Sequence, residues 1–344
     1  MSTLYHLTIP RPKTPALDAV VQEVETLRTH LGGEIVYLNP ARKPGSRYPE
    51  RLYGLHRLLH LRRQEANVSL HHVYNPHLFY FPYLRWLRRP VLYTVTAGLP
   101  PSQKRGNLAR LAQLAAIVVS NERDRETLRA WGLENVHLVR PGMDTSRFSP
   151  TPPPAGPGLT LLAGSAPWTQ AQFQSKGVDA LLAAAEARPD LCLVFLWRGL
   201  LFDEMQARVA ERGLQGRVRV INRQVDVNQV LAEAHAAVVL AAEATLVKAF
   251  PHSLLEALAA GRPVLVSRAL PMADYVARVG CGQVVEHVSV EGVLEGLARL
   301  EADYQVCQGK ALDVGRRDFS WGGLVEAYGR LYIRCKALEK VPRT

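Results

Sequence analysis

The residues most able to do chemistry lie in Lys248-Ala-Phe-Pro-His252-Ser253-Leu254-Leu-Glu256, which runs on into Ala-Leu-Ala-Ala-Gly261-Arg-Pro263-Val. The apolar spacing predicts a helix from Ser253 to Ala260. Its first turn would offer unpaired N–H groups and the positive end of the helix dipole, a place where a diphosphate fits. The same Ser-x-x-Glu spacing is also a capping box, in which Ser253 and Glu256 serve only the helix start. A second loop, Gly164-Ser-Ala-Pro-Trp-Thr-Gln-Ala-Gln-Phe-Gln-Ser-Lys176-Gly177, lies between a predicted strand and a predicted helix. A lysine there can meet a phosphate as a point charge. The alternative is a solvated lysine in a turn.

These loops need elements to hold them. In the first half the sequence predicts strands at Tyr5–Pro10, Glu34–Leu38, Val68–Val73, Val91–Thr96 and Ala115–Ser120. It also predicts a helix at Ala16–Leu31, an amphipathic basic segment at Arg51–Arg63 and an aromatic helix or loop at Leu78–Arg88. In the second half it predicts strands at Leu159–Gly164, Cys192–Leu196, Val218–Ile221, Ala236–Leu240 and Pro263–Ser267. Helices are predicted there at Val178–Ala187, Phe202–Arg212, Val227–Ala234 and Ser253–Ala260. Strand and helix in alternation predict α/β domains with parallel sheets. Between the halves, Pro150-Thr-Pro-Pro-Pro-Ala-Gly-Pro157 has five prolines in eight residues. No helix or central strand tolerates that density, so the run is expected to be a linker, giving domains 1–150 and 151–330 and a tail 331–344 returning to the first domain as a helix. Ligands in such sheets sit beyond the carboxyl ends of the strands, so a cleft between two facing Rossmann-like domains is the expected active site.

The length of 344 residues suits two domains, and the composition is that of an ordinary globular protein. The formal charge of +11 is less ordinary. Residues 1–150 carry +10 of it and residues 151–344 only +1. Residues 51–110 hold ten Lys and Arg against one acid, Glu65, which marks a docking face for an anionic partner. Cys192, Cys281, Cys307 and Cys335 form no C-x-x-C pair and are expected to be reduced and buried. With no apolar stretch at Met1–Thr8 long enough for a signal peptide, and no membrane-spanning window, a cytoplasmic protein is expected.

Several segments together carry a family resemblance. Val139-Arg-Pro-Gly-Met-Asp-Thr-Ser-Arg-Phe-Ser-Pro150, then Lys176-Gly177 with Leu181-Leu182, then Ser253-Leu-Leu-Glu-Ala-Leu-Ala-Ala-Gly-Arg-Pro-Val, then Phe319-Ser-Trp321, occur in the order found in the retaining GT-B glycosyltransferases of family 4. The chain resembles that family over most of residues 115–335, and in its first 110 residues only in layout. The resemblance implies transfer of a sugar from a nucleotide-sugar, UDP- or GDP-linked, to a glycan or glycolipid acceptor. It further implies retained configuration, no other cofactor, no obligatory metal, and a role in cell-envelope polysaccharide assembly. It matches Glu256 to the ribose hydroxyls and Lys176, with Gly177, to the diphosphate. His252, Ser253 and Leu254 match the loop that meets phosphates and sugar, and Asn222, Arg223 and Gln224 the region that holds the base. His71 or His72, in Leu70-His-His-Val-Tyr-Asn75-Pro76, matches the histidine near the chemistry, and Asn75 and Thr96 fall on the acceptor side.

The sequence also departs from the family. Lys248 stands where the family has a glutamate, reversing charge in the sugar pocket, and Gln170 and Ala171 stand where it has an arginine. Lys176, Arg198 and Lys248 are then the cations left to stabilise a leaving diphosphate, with Lys248 counted among the catalytic candidates. Arg11-Pro12-Lys13-Thr14-Pro15 replaces the glycine-rich first loop, and Thr96-Ala97-Gly98 replaces a histidine-glycine. These departures keep a second reading open: a catalytically inactive GT-B protein that binds nucleotide or glycan as a regulatory or scaffold subunit. A GT-B epimerase or phosphorylase is a third.

For the basic half, Leu52, Leu55 and Leu59 recur at helical spacing among Arg51, Arg57, Arg62 and Arg63. Phe79, Tyr80, Phe81, Tyr83 and Trp86 run into Arg85, Arg88 and Arg89. That composition suits peripheral attachment to an anionic membrane surface, at its inner face. The other reading is an internal helix with solvated arginines. No nucleic-acid module pattern is present, and nucleic acid is not an expected partner.

Overall fold

Short runs of Val, Ile, Leu and Ala, apolar without alternation, make strands that bury both faces. In the computed structural model, which describes residues 2–12, 15, 18–40, 48–100, 102, 105–156, 158–197 and 200–338, such runs build two sheets of six parallel strands each. The first contains β1 (Ser2–Leu7), β2 (Glu34–Tyr37), β3 (Val68–Asn75), β4 (Val91–Val95), β5 (Ala116–Val119) and β6 (Val136–Leu138), ordered β2-β1-β3-β4-β5-β6. The second contains β7 (Leu159–Ala163), β8 (Leu191–Leu196), β9 (Val218–Ile221), β10 (Ala236–Val239), β11 (Val264–Ser267) and β12 (Gly282–Val285), ordered β12-β11-β10-β7-β8-β9. Every predicted strand is present. The edge strands β6 and β12, and the helices Glu122–Ala130, Met272–Val279, Val290–Ala302 and Tyr304–Asp318, were not anticipated.

The chain divides into two compact units, Met143–Ser320 and the rest. The division falls ahead of the proline run because Met143 and Phe148 already belong to the second unit's core. The run itself is clamped rather than loose. Arg262, fully buried, donates to the carbonyls of Thr151 and Pro152 and to the Thr151 hydroxyl, and its Nε donates to Leu231 O at 3.0 Å. A proline-rich segment has carbonyls without matching N–H groups, and a guanidinium with five donors satisfies them.

At its end the chain returns to the first unit from Trp321 onward. The helix Trp321–Ala337 packs Leu324, Tyr328, Leu331, Tyr332 and Cys335 with Tyr5, Val24 and Tyr74, on one face of the first sheet. The opposite face packs Leu4, Val73, Tyr93 and Ile117 against Leu61, Phe81 and Tyr83. Cys281, Cys307 and Cys335 are buried, Cys192 is half-buried, and all four are unpaired.

The basic segment departs most from expectation. Arg51–Arg63 is not one interfacial helix. Two 3-10 turns, Glu50–Leu52 and Leu55–Arg57, precede a short helix at Leu58–Gln64, with Gly54 between them in the left-handed region at φ 79°. A Cβ at Gly54 would lie 2.5 Å from the Tyr83 ring, so the chain turns there against a buried aromatic. The aromatic stretch contains one 3-10 segment, Pro82–Trp86, and Phe81 and Tyr83 are core residues. Leu59 is 78% exposed, so the apolar spacing serves the surface in part. No helix among the described residues is long and apolar enough to cross a membrane.

Candidate functional site

In a doubly wound sheet, the loops that diverge at the reversal of strand order leave a crevice at the strands' carboxyl ends. In the second sheet the reversal lies between β7 and β10, and the loops that follow them bring the predicted donor residues together. After β7 the backbone passes Gly164 so close to the helix His252–Ala259 that a Cβ there would lie 2.6 Å from the Ser253 Cβ. After β10, Ala242 N–H donates to Ser175 O at 2.7 Å, which joins this strand end to Lys176-Gly177. Ser267, ending β11, holds both the N–H and the carbonyl of Ala241 at 2.8 Å.

Lys176 is 8% exposed, and its Nζ donates to Ala166 O at 3.0 Å, with the Trp168 ring centroid 5.9 Å away. Burial lowers its pKa from the ordinary lysine value. The solvated-turn reading is therefore wrong for Lys176. The next residue, Gly177, has φ 69°, and a Cβ there would lie 2.7 Å from the Leu240 side chain. Left-handed backbone costs a residue with a Cβ about 1–2 kcal/mol, and the clash adds overpacking. Gly177→Ala is expected to destabilise the second unit by about 2–3 kcal/mol. Denaturant unfolding of the full chain checks this; an unchanged midpoint would show the turn to be relaxed.

The helix begins at His252, with Pro251 as its N-cap and no side-chain capping bond. Ser253 therefore lies inside the first turn, and the capping box does not form. Pro251 O accepts the N–H groups of Leu254 and Leu255, whereas those of His252 and Ser253 have no acceptor among the described residues. Glu256 is half-buried one turn beyond Ser253, on the same side of the helix. The His252 ring has its pKa lowered to about 4, by burial first and by the positive charge of Lys248 second. Lys248, whose own side chain is exposed, thus acts on this helix start. Arg223 and Gln224 follow the edge strand β9, two strands out from β7, and are exposed. Arg198, like Lys13 and Lys104, lies outside the described residues.

In the first sheet the order reverses between β1 and β3, and Asn75 lies at that point. It accepts from the Thr8 hydroxyl, and its Nδ2 donates to His77 O at 2.6 Å and to Glu50 at 3.3 Å. Thr96 N–H donates to Asn75 O at 2.9 Å, so the two acceptor-side candidates are neighbours. His77 and Glu50 were missed by the sequence reading. His77 Nε2 lies 3.2 Å from Glu50, which raises the His77 pKa and, with the Asn75 bond, lowers that of Glu50 against its burial. His77 is exposed, and the only sequence signal for it was its place just after the Asn75-Pro76 strand end.

His71 and His72 require a correction. Both are fully buried, and the alternation of β3 sends them to opposite faces of the sheet. His72 Nδ1 lies 2.6 Å from the Tyr332 hydroxyl, and its Nε2 lies 2.8 Å from Thr94 Oγ1. His71 Nδ1 lies 2.9 Å from His6 Nε2, and its Nε2 lies 3.2 Å from Glu65. All four ring nitrogens are engaged inside the unit, so neither imidazole is available to a substrate.

Comparison with known proteins matches this geometry to a fold. Residues 170–311 match the family described as glycosyl transferases group 1. Sucrose-phosphate synthase from Thermosynechococcus elongatus superposes with a TM-score of 0.74 at 16% identity, covering 98% of this chain and 100% of that one. Anabaena HepE in complex with UDP gives 0.72 at 14% identity, covering 96% and 99%. WaaG, a glycosyltransferase involved in lipopolysaccharide biosynthesis, gives 0.63 at 16% identity, also covering 96% and 99%. The fold is GT-B. No curated protein sequence matches the chain. Within the GT-B fold, the matched stretch contains Lys176, Gly177, Lys248, His252, Ser253, Leu254 and Glu256.

Proposed function

We propose that this GT-B protein transfers a sugar from a nucleotide-sugar, UDP- or GDP-linked, to a glycan or glycolipid acceptor with retention of configuration. The observation that carries the reading is the convergence of Lys176, Gly177 and the first turn of His252–Ala259 at the strand reversal of the second sheet. A buried lysine and two unengaged helix N–H groups make a cradle for a diphosphate. The UDP bound to HepE, at the same fold, supports the nucleotide part.

In this reading Lys176 and the N–H groups of His252 and Ser253 stabilise the charge that develops as the diphosphate leaves with the bonding electrons. Leu254 fixes that first turn in the core. Lys248 adds positive charge on the same side, and Glu256 accepts from the ribose hydroxyls. Arg223 and Gln224 belong with the base end. The first unit holds the acceptor near Asn75 and Thr96, with Glu50 and His77 now added and His71 and His72 removed. The +10 charge of residues 1–150, and exposed Leu52 and Leu59 among arginines, support an anionic acceptor or membrane surface.

Glu256→Ala tests the ribose assignment. Calorimetry is expected to show UDP or GDP binding weakened about tenfold or more, the loss of a charge-assisted hydrogen bond. Affinity for the 2′,3′-dideoxynucleotide should be unaltered. Equal affinity of the two chains for the parent nucleotide would remove Glu256 from the donor site.

A further inference from the structure

The arginines of the first unit differ in what they face. Arg62 Nε lies 3.5 Å from Glu65, and Arg28 and Arg125 pair with Glu25 and Glu122. Arg85 and Arg110 have no carboxylate partner among the described residues. Each lies over an aromatic ring instead: Arg85 at 3.9 Å from the Trp86 centroid, Arg110 at 5.6 Å from that of Tyr80. The one acid of residues 51–110 does not offset them. Glu65 is 6% exposed and accepts the backbone N–H groups of Arg88 and Arg89 as well as facing His71.

Arg85 and Arg110, both exposed, line a cavity of about 290 Å³ together with Tyr80, Leu84, Gln113 and Leu114. Val91, which starts β4, also lines it, and Leu114 lies just ahead of β5. The cavity therefore sits at the amino-terminal edge of the sheet. Asn75 and Thr96 lie at the other end.

We propose that this cavity is a second ligand site, which takes a small phosphate monoester with an apolar or aromatic body. Arg85 and Arg110 are planar donors with no protein anion to satisfy them, and a phosphate accepts from both. Tyr80, Leu84 and Leu114 give the body an apolar wall. Ligand pockets begin near roughly 300 Å³, so the volume fits one ring or a short chain and is small for a nucleoside diphosphate. The monoester can come from a soluble metabolite or from a lipid headgroup, which has the same chemistry.

The test uses the full chain, with calorimetry and Trp fluorescence, and phenyl phosphate as probe. Phenyl phosphate is expected to bind saturably, and phenol at least tenfold more weakly. The double variant Arg85→Gln/Arg110→Gln should weaken phenyl phosphate at least tenfold. Gln113→Trp, which fills the cavity and leaves the charges in place, should do the same, and Lys176→Met should leave binding unchanged. Competition by phosphatidylcholine vesicles containing phosphatidic acid, but not by phosphatidylcholine alone, assigns the ligand to a lipid headgroup. Binding indifferent to both vesicles assigns it to a soluble ester. The proposal is overturned if phenyl phosphate does not bind, if binding survives both cavity variants, or if Lys176→Met abolishes it.

Discussion

Lys176→Met is expected to lower turnover of the nucleotide-sugar by about two to three orders of magnitude, the range seen when one preorganised donor to a developing anion is removed. The size of the effect follows from where the ammonium sits. At 8% exposure, with Ala166 O holding Nζ at 3.0 Å, the charge is fixed and poorly screened, so it acts on a phosphate without reorganising. Burial already disfavours the charged lysine. A bound diphosphate reverses that, so nucleotide binding should raise the lysine pKa and draw in a proton at alkaline pH. Lys176→Arg should rescue little, because a planar fork does not fit the place of a point charge held on Ala166 O. Turnover and UDP affinity measured side by side decide the matter. Unchanged affinity together with unchanged turnover would take Lys176 out of the site.

The second large effect is acid unfolding of the first unit. His6 and His72 are fully buried, and burial holds both pKa values well below the ordinary 6.5. His6 also lies in a buried hydrogen-bonded chain that runs from Tyr83 through His6 and His71 to Glu65. If Tyr83 donates to His6 Nδ1, His6 Nε2–H donates to His71 Nδ1 and His71 Nε2–H donates to the Glu65 carboxylate. In the unfolded chain both His6 and His72 bind a proton below pH 6.5, and in the folded unit they do not. The unfolded state then holds more protons, so stability is complete above pH 6.5 and falls as the pH drops. Two such groups give about 2.7 kcal/mol per pH unit, at about 1.36 kcal/mol per proton. For a domain stability at the low end, about 5 kcal/mol, that slope brings unfolding to roughly pH 4–5, and a more stable unit unfolds at lower pH. Glu65, whose pKa is lowered by His71 and by the N–H groups of Arg88 and Arg89 against its own burial, adds to the loss at the acid end. Circular dichroism against pH, compared with His72→Gln, checks the slope. The variant should unfold at lower pH if it folds normally at pH 8, and an identical acid midpoint would place the sensitivity elsewhere.

Much of the proposed donor region could be read from residues in a row. Lys176-Gly177 and the helix after Pro251 are local features: a turn residue free to take φ 69°, and a helix start beside a strand end. The histidines of the first unit were harder to read. His71 and His72 are adjacent in sequence, and no pattern of residue types shows which of them reaches a ligand. In β3 the period of two puts them on opposite faces, and both faces are covered. Their partners Tyr332 and His6 are far away in the chain, so the contacts that enclose them exist only after the sheet and the C-terminal helix assemble. His77 was overlooked for the complementary reason. Its exposure and its pairing with Glu50 depend on a turn that no periodicity marks.

The sequence by itself determined the alternation of strand and helix, the two parallel sheets, and the concentration of charge in the first half. Each of these depends on neighbours in the chain. Tertiary structure alone decided the strand orders, and with them the reversals at β7/β10 and β1/β3 where Lys176 and Asn75 sit. It also decided that the proline run is held by Arg262, that Ser253 does not cap its helix, and that Arg85 and Arg110 share a cavity. The physical reason is common to all of them. Burial, hydrogen-bond satisfaction and charge pairing are properties of neighbours in space, and in a doubly wound sheet those neighbours come from distant parts of the chain.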